Sequence, residues 1–329
     1  MKQAIDNVLI TLNIQPVLVD VGASGAPPLQ WEPMAHHSVY VGFDPDRREL
    51  HDVPKGTYAR SIVVNEAVTS LPEQNDVQFY LTHSPYCSST LPPDTESLAH
   101  YFFSDLFAVK GDISVRASSL NAIIDRFGLK CVDWLKIDSQ GTDLRLFQSL
   151  RDDLRNRVLA VDIEPGLIDA YRGEDLFVDA NRELLRQGFW LSSLDVKGSV
   201  RMKRTTFNNM ASSHPGLEDA HIYSSVRQSP AWCEARYLRT LESLRTRDAD
   251  ARDYVLLWVF AVIERQWGYA LDIAYDYEQR YGHDAISAKL LEVPMERILA
   301  INSSDKMRNI AKRIIPQMFR QHLRELFSK

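Results

Sequence analysis

Short β-branched runs alternate with helix-periodic stretches along the first two thirds of the chain. Val17-Leu18-Val19-Asp20 has the pattern of a buried strand and runs into glycines; Val39-Tyr40-Val41-Gly42-Phe43 is a second such run and Ser61-Ile62-Val63-Val64 a third. Residues 77–81 alternate apolar and polar, as a strand with one wetted face does. Over residues 118–127, Leu120, Ile123, Ile124 and Phe127 recur at helical spacing, with Ser118 or Ser119 placed to cap the helix. The pattern then predicts strand at 132–137, helix at 143–150, strand at 158–163 and helix at 176–187. Gly188 suits a helix C-terminus ahead of a strand at 189–194. Strands alternating with helices imply parallel pairing with helices on both faces, a doubly wound α/β sheet.

The pattern changes over residues 201–230, which hold Asn208-Asn209, Ser212-Ser213 and His214-Pro215-Gly216. Beyond it almost everything reads helical, and residues 254–263 are apolar all round, as a buried core helix requires. This places a boundary at about residue 228, with a catalytic unit over 1–228 and a C-terminal all-α extension over 229–329. The catalytic unit is expected to hold its complete site without the extension. Near the C-terminus Met307, Ile310, Ala311, Ile314, Met318 and Phe319 recur at helical spacing between Arg308, Lys312, Arg313, Arg320 and Arg324. Such a basic amphipathic helix packs on a neighbour or lies peripherally on an anionic membrane, and Pro316 should kink or end it. Dimerisation of two copies is a further use for the extension.

Composition narrows the class. Apolar residues make up 45% and charged residues 25%, the balance of a chain with a sizeable core, and 329 residues suit about two domains. A net charge of −6 gives no polycationic surface, so nucleic acid is not an expected partner. Cys87, Cys131 and Cys233 are scattered and odd in number, which supports neither a disulfide framework nor a zinc knuckle. The first residues lack a signal-peptide layout, and the apolar run 254–263 is about half a bilayer span. A cytoplasmic protein with no integral membrane segment is expected.

In an open parallel sheet, ligands bind at the carboxyl ends of the strands. The first strand ends Asp20-Val21-Gly22-Ala23-Ser24-Gly25 and the second ends Phe43-Asp44-Pro45. Glycines admit a ligand close to the backbone, and an acid at the spacing of Asp44 accepts hydrogen bonds from ribose hydroxyls. An adenosine-containing cofactor is implied. The loop lacks GxGxxG, and Asp20 would repel a pyrophosphate, which disfavours a nucleotide-binding oxidoreductase. No GxxxxGK[ST] is present, so P-loop phosphoryl transfer is excluded. S-adenosyl-L-methionine has no phosphate and carries an ammonium that Asp20 suits. A short DxGxxG is also compatible with a mere turn.

Several blocks resemble the FkbM methyltransferase family. They are Asp20-Val21-Gly22-Ala23, Gly42-Phe43-Asp44-Pro45 and Asn65-Glu66-Ala67-Val68. They continue with Ser119-Leu120-Asn121-Ala122-Ile123-Ile124, and then with residues 132–144, VDWLKIDSQGTDL, similar to the family's LKIDxxGxE. Glu164, in Asp162-Ile163-Glu164-Pro165, and Tyr171 resemble a later block. The resemblance spans about residues 15–225. It implies a Rossmann-like methyltransferase sheet that uses S-adenosyl-L-methionine and methylates a hydroxyl on a sugar, glycan precursor or small natural product. Asp143 stands where the family usually has Glu, Ser139-Gln140 is an uncommon variant, and Pro27-Pro28 replaces an ordinary helix start.

On this reading Asp20, Gly22, Ala23, Ser24, Gly25, Asp44, Glu66 and Asp138 hold the cofactor. Asp138, Glu164 and His83 are candidate bases for the acceptor hydroxyl, with His83 in a serine-rich loop expected to face substrate. Asp138 could instead cap the helix from Asp143, and Asp44 the helix that follows it. Lys136 is expected to point outward. Asp138 and Glu164 find no clear third ligand, so no metal is expected. A catalytically silent methyltransferase fold serving as a scaffold is the alternative.

Overall fold

The structure, a computed structural model, describes residues 1–46, 53–54, 56–71, 75–247 and 249–314, from 301 onward by backbone alone. Its strands are β1 Val17–Val21, β2 Val39–Phe43, β3 Arg60–Val64, β4 Ala67–Val68, β5 Asp76–Thr82 and β6 Val109–Ser118, followed by β7 Trp134–Ile137, β8 Ala160–Ile163, β9 Phe189–Val200 and β10 Gln228–Arg239. Seven of them form one sheet in the order β3-β2-β1-β7-β8-β10-β9, and β4, β6 and β5 form a small second sheet. In the main sheet β3, β2, β1, β7 and β8 run parallel, while β10 is antiparallel to both β8 and β9. The architecture is the expected Rossmann-like doubly wound α/β sheet with helices after it.

Burial explains why β1 and β2 read as unbroken apolar runs: every residue of both is buried, because helices cover both faces. Val19, Val41, Leu135 and Val161 face one core with helices Leu120–Arg126, Asp143–Ser149 and Phe177–Arg186. Ser119 caps the first of these helices by accepting the Ala122 amide, as its spacing predicted. Gly188, at φ +81°, follows the last one.

Leu18, Tyr40, Trp134, Ala160 and Leu238 face the opposite core, which contains the apolar helix Ala251–Ile263. That helix is buried as expected, with Phe260 against Trp134 at a ring separation of 4.8 Å. It forms a layer of the sheet domain: Arg252 bonds Asp133 at 2.7 and 2.8 Å, just ahead of β7. The expected boundary at 228 falls on the first residue of β10, which lies between β8 and β9. Helical character resumes only at Leu241, so the stretch from 229 to 239 is strand rather than helix.

One row across this face is charged. Asp20, Lys136, Asp162 and Arg236 are successive register partners on β1, β7, β8 and β10, with alternating signs. Lys136 bonds Asp20 at 3.0 Å, and Arg236 bonds Asp162 at 2.7 and 2.9 Å. Lys136 is therefore largely buried, contrary to the outward placement its alternation suggested. The C-terminal helix runs Ala285–Ile314. Pro316, Met318, Phe319, Arg320 and Arg324 lie outside the described residues. Among the described residues no helix is long and apolar enough to cross a membrane.

Candidate active site

Strand register builds the site. Phe43, Val21, Ile137 and Ile163 form one row across β2, β1, β7 and β8. The next residue on each strand is Asp44, Gly22, Asp138 and Glu164, and all four line one cavity of about 450 Å³. Neighbouring strands lie about 4.8 Å apart, so this row sets three carboxyl groups along one wall, with Gly22 between Asp44 and Asp138. The chain leaves β1 for β2 on one side and β7 lies on the other, the topological switch at which open α/β sheets bind ligands.

Gly22 is required for two reasons. Its φ is +78°, and a Cβ there would collide with the Asp138 carbonyl. The amides of Gly22 and Ala23 both donate to the Phe43 carbonyl, at 2.9 and 2.8 Å, which fastens the loop to β2. Ala23 and Gly25 do not line the cavity, whereas Ser24 does, and its hydroxyl is shut from solvent without a hydrogen-bond partner. Asp20 lies below the wall, held by Lys136 and, at 3.2 Å, by the Tyr40 hydroxyl. Burial works against the Lys136 ammonium, but Asp20, Asp138 and Glu164 outweigh it and hold its pKa above the usual lysine value. Asp20 thus anchors the floor through a protein ammonium rather than facing the cavity.

Asp44 is buried on the cavity wall, with Oδ1 accepting the Asp46 amide at 2.7 Å and Oδ2 without a partner among the described residues. Burial pushes its carboxyl up to about 6, with the Asp46 amide opposing. The helix it might cap lies outside the described residues. Glu66 also reaches the wall, but its oxygens are taken by Arg126, at 3.1 Å each, and by the Ser118 hydroxyl. Those Arg126 hydrogen bonds hold the Glu66 carboxyl below its ordinary range, against its burial.

On the other side Asp138 accepts Gln140 Nε2 at 2.6 Å, and Gln140 Oε1 lies 2.9 Å from the Tyr171 hydroxyl. Gln140 has the left-handed φ of +56°, and its carbonyl accepts the Ser89 hydroxyl at 2.7 Å. Asp138 does not cap the helix Asp143–Ser149, whose N-cap is Thr142. Asp143 accepts the Ser139 amide and hydroxyl at 3.0 and 2.6 Å and the Glu164 amide at 2.7 Å, tying the ends of β7 and β8 together. Glu164 is pushed up to about 9 by burial and by Asp138, with Lys136 opposing and Asp143 adding.

Glu174 lines the same half; its Oε2 accepts the Ala170 and Tyr171 amides at 2.7 and 2.5 Å, and burial pushes it up to about 7. Ser84, Tyr86 and Ser88 of the serine-rich loop line the cavity, but His83 does not and is exposed. Gln140 lies in the 132–144 block, where the pattern assigns it no role, and Glu174, Phe103 and Trp232 carried no sequence signal, because they come from separate loops and from β10.

The row can hold a cation and offers proton acceptors to a group placed above Asp138. Among the described residues a His/Asp group with metal-ligand spacing exists elsewhere: His36 and His37 Nε2 lie 3.3 and 3.1 Å from Asp6 Oδ1, and none of the three lines the cavity.

Comparison with known proteins gives one family. No curated protein and no solved structure matches the chain. The model of the methyltransferase FkbM domain matches residues 26–191, half of the chain, from just after the glycine loop to the start of β9. The match contains Asp44, Asp138 and Glu164, three of the four residues in the wall row. The chain therefore belongs to the FkbM methyltransferase family.

Proposed function

We propose that this methyltransferase uses S-adenosyl-L-methionine and methylates a hydroxyl on a sugar, glycan precursor or small natural product in the cytoplasm. The observation that carries the reading is the wall row itself. Asp44 and Gly22 meet at the ends of β2 and β1, with Asp138 and Glu164 beside them.

The wall fits the cofactor. Asp44 Oδ2 and the orphaned Ser24 hydroxyl are open hydrogen-bonding positions, and the carboxyl groups suit a ligand bearing a sulfonium and an ammonium. When bound, S-adenosyl-L-methionine supplies a methyl group on a sulfonium, open to in-line attack. Gly22 lets the loop close against the Asp138 carbonyl, and Asp44 and Asp138 would hold the cofactor from the ends of β2 and β7. Positioning then carries much of the rate. Gln140 fixes Asp138, and Tyr171 fixes Gln140, so the carboxylate stands ready to take the acceptor's proton. Glu164, whose carboxyl is pushed up by burial and by Asp138, lies beside Asp138 on the same wall.

Calorimetry with S-adenosylhomocysteine tests the cofactor half. Asp44→Ala should weaken binding by about 1.5–3 kcal/mol for each hydrogen bond lost to the carboxylate. Unchanged affinity in a folded variant would sink the assignment. Transfer of a labelled methyl group by the wild type separates an enzyme from a silent scaffold.

A further inference from the structure

The half of the cavity away from Asp44 has its own chemistry. Carboxyl groups of Asp138, Glu164 and Glu174 reach its wall, and among the described residues no Lys, Arg or His lines any part of the cavity. Among the described residues, Lys136 behind the wall is paired with Asp20, and Arg126 is paired with Glu66. Phosphate and carboxylate ligands are ordinarily met by arginine, lysine or a helix N-terminus. The helix N-terminus on this wall, at Thr142, carries the buried acid Asp143 in its first turn. An anion entering here would be desolvated beside carboxyl groups, with no cationic side chain lining the cavity among the described residues.

Aromatic rings shape the same half. The Phe103 ring lies nearly parallel to Trp232, at 10° and 6.1 Å, and Phe107 meets both Phe103 and Tyr171 edge-on, at 5.1 and 5.6 Å. Such rings bind flat C–H faces and cations. Glu174 and Glu164 have no ion-pair partner among the described residues, and both lie on this side of Asp138.

From this arrangement we infer that the acceptor is uncharged or amine-bearing next to its reacting hydroxyl, presents a flat face to the Phe103–Trp232 shelf, and carries no phosphate or carboxylate there. The inference rests on the methyltransferase reading and narrows its substrate class.

A matched series of phenyl glycosides tests it: phenyl glucoside, its 2-amino analogue and phenyl glucuronide, each titrated by ligand-observed NMR. The protein is saturated with S-adenosylhomocysteine, and that binding is measured first by calorimetry. The neutral and amine compounds should bind at least about 10-fold tighter than the glucuronide. Glu174→Gln and Glu164→Gln, each checked by thermal melting, should narrow the gap between amine and glucuronide by about 3-fold or more. Trp232→Ala should weaken the whole series alike. A glucuronide that binds as tightly as the others, a gap that neither glutamine variant moves, or silence of all three compounds overturns the inference. Absence of S-adenosylhomocysteine binding would instead overturn the cofactor reading beneath it.

Discussion

On the proposed function the cavity has a cofactor end, where the neighbouring carboxylates are paired inside the protein, and an acceptor end, where they are not. Asp20 is held by Lys136 and Tyr40, and Glu66 by Arg126 and Ser118. Asp138, Glu164 and Glu174 accept only neutral donors or none, and Glu164 and Glu174 are pushed toward their protonated forms. Paired acids hold a loop in place and have little left to offer a ligand. Unpaired ones keep their hydrogen-bonding capacity and their proton for whatever enters. Asp44 is intermediate, with one oxygen fixed by Asp46 and the other open. The contrast separates residues that build the wall from residues that act through it.

The severest way to break this contrast is to remove residues 229–329. That deletes Ala231 and Trp232 from the acceptor end but spares every residue of the cofactor wall. It also removes β10 from between β8 and β9, and the helix Ala251–Ile263 from one face of the sheet. We expect no cooperative melt and no S-adenosylhomocysteine binding from residues 1–228. A soluble fragment that binds it would show that the cofactor end folds alone.

Lys136→Met is the next largest perturbation. It leaves Asp20 as an uncompensated buried charge and should cost about 3–5 kcal/mol. Adding Asp20→Asn should restore part of the loss, because the stranded charge is gone. Additive losses in thermal melts of the two single variants and the double would show that the pair is not coupled.

Much of the cofactor end was legible because it follows from local pattern. Parallel strands buried on both faces read as β-branched runs, and their ends fall at Asp20-Val21-Gly22, Asp44 and Asp138. The same double burial hid Lys136: alternation assigns it to the second face but says nothing of a helix covering that face. β10 was missed because Glu234-Ala235-Arg236-Tyr237-Leu238-Arg239 has the composition of a helix. Its buried alternation, Ala231, Cys233, Ala235 and Tyr237, was present but weak in β-formers. At the acceptor end only Asp138 and Gln140 belong to a contiguous motif, VDWLKIDSQGTDL. Phe103, Gln140, Glu174 and Trp232 meet only through the fold. The serine-rich loop lies against the cavity, where Ser84, Tyr86 and Ser88 line it and His83 does not, a distinction set by turn geometry.

The gentlest test of the contrast is the pH dependence of stability at Glu164. Its carboxyl ordinarily titrates at 4.5 and is pushed up to about 9 here, by burial first and then by Asp138. Between those values the folded chain keeps a proton that the unfolded chain has released. Stability from this group is therefore intact below the lower value and is lost as pH rises toward the upper one. Glutamine has no proton to lose, so Glu164→Gln should gain on the wild type in thermal midpoint from about pH 5 to about pH 9. A bound cation favours the ionised carboxylate, so saturation with S-adenosyl-L-methionine should flatten the wild-type slope. A constant difference between the two proteins across that range would mean that Glu164 is ionised in the folded chain, and that the two ends of the cavity hold their acids alike.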